Sequence, residues 1–163
     1  MQANLTEMPQ RLFVGMRIQT TLAAQQTLAL WQRFKPRVKE ISHRADANFY
    51  SLQLYDAALS FTEFSSHTAF EKWAAVEVTQ VVNLPEGMEL LTVPAGTYAV
   101  FVHHEPAHTF PQTSQYIFGT WLPQSAYELD QRPHFEVMTP QYQPQDEQAQ
   151  EEIWVPVRLK ARQ

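Results

Sequence analysis

The chain has 163 residues, 44% hydrophobic and 18% charged, which is enough for one domain with its own core. A net charge of −5 argues against non-specific nucleic-acid binding, and the absence of cysteine excludes a disulfide framework and thiolate chemistry. No stretch approaches the roughly 20 apolar residues of a membrane span, and Met1 to Pro9 carries neither the basic cluster nor the apolar run of a secretory signal, so a cytoplasmic location is expected.

The first predicted strand is Arg11 to Gln19. Ala24 to Ile41 reads as a helix, with Leu28, Trp31, Phe34 and Val38 on one face. Pro36 is expected to bend or end it. Phe49 to Tyr55 reads as a strand and Lys72 to Gln80 as its hairpin partner, joined by the longer connection Asp56 to Glu71. Asn83-Leu84-Pro85-Glu86-Gly87 is a turn-rich joint. Beyond it the order repeats. Glu89 to His103 is strand-like, interrupted at Pro94-Ala95-Gly96. Pro111 to Leu122 is helical, with proline in its first turn. Pro133 to Met138 is a short strand, Tyr142 to Gln150 a polar loop, and Glu152 to Leu159 the last strand.

That last strand carries the chemistry. Alternate side chains of a strand share a face. Glu152 and Trp154 therefore point one way, and Ile153, Val155 and Val157 form an aliphatic face for the core. A carboxylate beside a large π surface suits a flat organic cation.

His104-Glu105-Pro106-Ala107-His108 matches the zinc-protease pattern letter by letter. That chemistry needs both histidines on one face of a continuous helix. A strand pattern runs into His104, and Pro106 opposes a helix beginning before it, so no metal is expected. With only four glycines there is no phosphate loop, and no serine sits in a nucleophile signature. No cofactor is expected.

Each half reads strand, helix, strand, strand, and each closing strand holds an acid two positions before a tryptophan: Glu71 with Trp73, Glu152 with Trp154. The expected fold is α+β. Pseudo-twofold β-α-β-β halves, at about residues 10–82 and 83–160 of a single domain at 1–163, form an antiparallel sheet with two main helices and a central ligand groove.

Several segments, taken in order, resemble the GyrI-like effector-binding domain. That domain is found in gyrase inhibitory proteins and as the ligand-sensing part of AraC-type and multidrug-responsive regulators. The segments are Trp73-Ala74-Ala75-Val76-Glu77-Val78, Leu84-Pro85-Glu86-Gly87-Met88, Val93 to Phe101, Trp121-Leu122-Pro123-Gln124-Ser125-Ala126-Tyr127, Phe135-Glu136, and Glu152 to Val157. Leu30 to Phe34 and Tyr50-Ser51-Leu52 extend the similarity into the first half. Ala75 and Ala126 stand where the family often has glycine, and Met138 where it often has tyrosine.

The resemblance implies a multidrug-sensing domain that binds amphipathic organic cations, with Glu152 at the base of the groove, an exposed acid at a strand start being the competing reading. Trp73, Trp121, Trp154 and Tyr50 are read as its aromatic wall, core packing being the competing reading for each. Phe118, Tyr127 and Phe135 are further lining candidates, and Trp31 is read as core. Glu136 is either a second acid or a solvated strand end.

Binding of a cationic, aromatic small molecule is expected rather than catalysis. No direct nucleic-acid or membrane contact is expected, and a stand-alone domain without a DNA-binding module is the expected organisation. Two alternatives stay open. One is a hydrolase using the groove glutamate as general base. The other is an inhibitor that binds a protein partner such as gyrase.

Overall fold

The computed structural model describes residues 2–57, 63–104, 110–140 and 150–161. The expected polar loop at Tyr142 to Gln150 therefore lies outside the described residues except for Gln150, as does the zinc-like motif except for His104.

The strands are β1 (Asn4–Met8), β2 (Arg11–Thr20), β3 (Phe49–Leu54), β4 (Phe70–Val78), β5 (Glu89–Val93), β6 (Gly96–His103), β7 (Tyr127–Leu129), β8 (His134–Met138) and β9 (Glu151–Leu159). All pairings are antiparallel, in the order β1-β6-β9-β8-β3-β4-β2-β5, with β7 added to β9. The order is symmetric about the β3·β8 pair. β1 and β7 are additions to the strands expected from sequence.

The first helix is shorter than its apolar pattern suggests. α1 spans Thr27–Phe34, and Lys35–Glu40 continues as a tighter 3-10 helix with Pro36 in its first turn. Proline has no N–H to return to the α ladder and its ring crowds the preceding turn, so the helix changes pitch there. The buried face is Leu30, Phe34 and Val38, while Leu28 is 69% exposed. Leu30 and Phe34 are one turn apart; Leu28 is two residues from Leu30 and so on the far side.

The second helix is α2 (Phe110–Tyr116), a π-helical turn over Ile117–Trp121, and the short α3 (Leu122–Gln124). The N–H of Leu122 bonds to the carbonyl of Ile117, one residue beyond the α pattern. Pro123, with no N–H, favours this slip of the ladder.

β1 and β2 form one bent strand, and so do β5 and β6. Their mutual register runs unbroken across both bends: Asn4 faces Val100, Met8 faces Gly96, Arg11 faces Val93 and Gly15 faces Glu89. This ribbon joins the two ends of the sheet, which therefore curls on itself. Phe13 on β2 lies 6.1 Å from Phe135 on β8, although the strands are three places apart and about 14 Å away along a flat sheet.

The inside of the curl is a core of Met8, Phe13, Tyr50, Leu52, Trp73, Ala75, Val93, Tyr98, Val100, Phe135 and Val137. The outer face carries both helices. α1 covers Val14, Met16, Ala74, Val76 and Val78, and the second helix covers Ala99, Phe101, Ile153, Val155 and Val157. The aliphatic face of the last strand is thus buried under a helix. Among the described residues, no helix is long and apolar enough to cross a membrane.

Candidate functional site

The helices sit over the flanking strands and leave the outer face of β3·β8 between them. Its side chains follow from the alternation within each strand. Phe49, Ser51 and Gln53 point outward from β3, and His134, Glu136 and Met138 from β8; Tyr50 and Leu52 with Phe135 and Val137 point inward. A strip with this many polar groups is unsuited to a packed helix. It forms the floor between the two helices, with Ser51, Gln53 and His134 all buried.

Lys72 from β4 and Glu151 from β9 flank the floor. Gln53 Nε2 donates to Glu136 Oε2 at 2.8 Å and lies 3.3 Å from Ser51 Oγ. One end is aromatic: the Tyr55 ring packs 4.9 Å from His134, 5.5 Å from Phe70 and 5.8 Å from Phe64, and Phe118 lies 6.0 Å from His134. Beyond that wall is a cavity of about 480 Å³, lined by Tyr55, Leu122, Tyr127, Asp130 and His134 among others.

The electrostatics are those of a charged floor short of water. Burial raises the Glu136 carboxyl, and Lys72 and the Gln53 hydrogen bond oppose the rise. Burial also pushes Glu151 up to about 7, reinforced by Glu136 and opposed by Lys72. Burial lowers Lys72, against the pull of both acids. His134 is pushed down to about 3 by burial and is neutral at physiological pH. Among the described residues, neither Lys72 nor Glu151 has a side-chain hydrogen bond or ion pair.

The residues singled out from sequence fall into separate groups. Tyr50, Trp73, Phe135 and Trp154 lie on the inner face, where Trp73 faces Leu52, Leu52 faces Phe135 and Phe135 faces Trp154 across adjacent strands. The Phe135 and Trp154 rings stack at 5.1 Å. The cation there is the chain's own. The Arg11 guanidinium lies 5.5 to 5.8 Å from the ring centres of Phe13, Tyr50, Phe135 and Trp154. It also bonds to Glu77 at 2.7 and 2.9 Å.

Glu152 is exposed, on the opposite side of its strand from Glu151, and accepts a 3.2 Å hydrogen bond from Trp154 Nε1. Trp121, in the π-helical turn of the second helix, packs edge-on to Phe101 on β6 at 5.1 Å. Phe118 stands at the aromatic end of the floor, and Tyr127 lines the adjoining cavity. Trp31 packs against Phe34 and Phe49.

Lys72 and Glu151 were not singled out from sequence. The alternation in Phe49-Tyr50-Ser51-Leu52-Gln53-Leu54 and His134-Phe135-Glu136-Val137-Met138 does mark a polar face on each strand. Only the pairing of those strands, and the start of β9 at Glu151, brings the charges to one place.

A curled antiparallel sheet with two helices on its outer face and a charged, aromatic-ended strip between them defines the α+β class of the fold. The chain belongs to the GyrI-like small-molecule-binding-domain family, whose model matches residues 1–158. It is 27% identical over 158 residues to the transcriptional regulator BrlR of Pseudomonas aeruginosa, covering 96% of this chain and 56% of that regulator. The chain thus spans about half the length of this curated relative.

Two solved structures share the fold. SAV2435 bound to tetraphenylphosphonium superposes with a TM-score of 0.73 at 18% identity, over 97% of this chain and 94% of that one. The EcmrR C-terminal domain superposes with a TM-score of 0.73 at 14% identity, over 98% of each.

Proposed function

We propose that this chain senses an amphipathic organic cation, bound in the cleft between α1 and the second helix. The observation that carries the reading is the floor itself: two carboxylates, Glu136 and Glu151, stand on the outer face of the sheet between the helices, and the Glu151 carboxylate has no partner among the described residues. A carboxylate poor in water gains most from a cation that brings its own apolar surface. Tyr55, Phe64 and Phe118 supply the walls, where a cation–π contact is worth roughly 0.5–2 kcal/mol. Charge, rings and apolar burial together suffice for micromolar affinity, about −8 kcal/mol. The lipophilic cation in the SAV2435 structure supports the same ligand class. This reading puts the selecting charge at Glu136 and Glu151 rather than at the exposed Glu152.

Calorimetric titration with tetraphenylphosphonium tests it. Binding that weakens about tenfold or more in Glu151→Gln is expected; no binding to the wild type refutes it. Glu151, held near 7, also favours a second reading as a general base toward an electrophilic ligand. An electrophilic ester recovered intact after long incubation with stoichiometric protein would rule that out.

A further inference from the structure

The cleft reading leaves Lys72 unexplained. Its ammonium belongs to the same floor as Glu136 and Glu151 and has three protons to donate. Among the described residues it makes no hydrogen bond and no ion pair, although both acids lie within electrostatic reach. Glu151 is the complementary case: a residue only 8% exposed whose carboxylate accepts no hydrogen bond among the described residues. Ions withdrawn from water are ordinarily paired. Here opposite charges stand in one cleft, close enough to feel each other and too far apart to bond.

Lys72 projects from the outer face of β4, opposite Gln53 in register. Glu151 projects from the start of β9, opposite Met138 and His103. The strip carrying Gln53, Ser51 and Glu136 lies between them. A ligand with only positive charge would satisfy the acids and bring a like charge toward Lys72. A ligand with only negative charge would meet two carboxylates.

Resting on the cleft reading, we infer that the cleft selects an amphipathic zwitterion. Its basic nitrogen faces Glu136 and Glu151, its carboxylate or sulfonate meets the Lys72 ammonium, and its apolar body lies against Tyr55, Phe64 and Phe118. The residues between the charged ends suit such a ligand. Ser51 and Gln53 offer hydrogen bonds across its middle, and His134, neutral at physiological pH, adds no competing charge.

The test uses a rhodamine bearing a free benzoate, which is a zwitterion, and the methyl ester of the same dye, which is a cation. Binding to the whole chain is followed by fluorescence anisotropy. The wild type should bind the free acid about tenfold more tightly than the ester, the scale of one charge-assisted hydrogen bond. Lys72→Met should remove that preference by weakening the free acid alone, and should leave the ester unchanged or tighter. Lys72→Arg, which keeps the charge, should retain the preference and guards against a folding defect.

An ester that binds more tightly than the free acid in the wild type, and loses affinity in Glu151→Gln, overturns this inference while the cation reading stands. Equal losses for both dyes in Lys72→Met also overturn it. Failure of both dyes to bind overturns the inference and the cleft reading together.

Discussion

Replacing Glu151 by Gln should stabilise the protein above neutral pH and change little in mild acid. The carboxyl moves from its ordinary 4.5 to about 7 in the folded chain, through burial first and the neighbouring Glu136 second. Between those values the folded state holds a proton that the unfolded state has released, so wild-type stability falls as pH rises through the window. At 1.36 kcal/mol per pH unit the full cost is roughly 3 kcal/mol, reached above about pH 7. Glu136 is raised in the same direction, so the two acids titrate as a pair and share that cost.

His134 acts with the opposite sign. Held near 3, it stays neutral while the unfolded histidine takes a proton, so its contribution rises with pH up to about 6.5. The difference between mutant and wild type therefore carries the test, not the wild-type curve. Urea unfolding at pH 4.5 and pH 8, read by tryptophan fluorescence, should show Glu151→Gln within about 0.5 kcal/mol of wild type in acid and about 1–3 kcal/mol more stable at the higher pH. A difference independent of pH would refute the view that this carboxylate is short of water.

Three further outcomes follow from the same geometry. Affinity for a monovalent organic cation should tighten as pH rises through about 7 and level off above it, because the bound cation favours the ionised Glu151; titrations in buffers from pH 5.5 to pH 8.5 would measure it. Arg11→Ala should cost about 3–5 kcal/mol in chemical unfolding, since it leaves the part-buried Glu77 without its partner and opens the ring cage. Gly15→Ala should yield little folded protein by circular dichroism, because the new Cβ would lie 2.0 Å from the Ala74 carbonyl oxygen, a backbone atom that cannot turn aside.

Much of the fold is written in local pattern. The period-2 alternation of β3, β8 and β9 marks two faces on each strand, and the acid-x-Trp repeat at Glu71 and Glu152 marks corresponding strands of the two halves. Pattern does not say how a sheet closes. The bends near Pro9 and Pro94 carry one ribbon from end to end of the sheet, so the face of Tyr50, Trp73, Phe135 and Trp154 becomes a filled interior occupied by Arg11. A residue 39 positions from Tyr50 in sequence fills the aromatic cage, and no spacing rule reveals that. The cleft is hidden for the same reason. Lys72, Glu136 and Glu151 come from three strands, and each taken alone reads as an ordinary charge in or beside a strand.

Cation selection by Glu136 and Glu151 is tested by a parallel titration of tetraphenylphosphonium against wild type, Glu136→Gln, Glu151→Gln and Glu152→Gln at pH 8. The two floor variants should each lose about tenfold or more in affinity, while Glu152→Gln stays within about twofold of wild type, because its carboxylate is exposed on the other side of the strand. A loss confined to Glu152→Gln would contradict selection by the floor acids and move the site to the opposite face of the sheet.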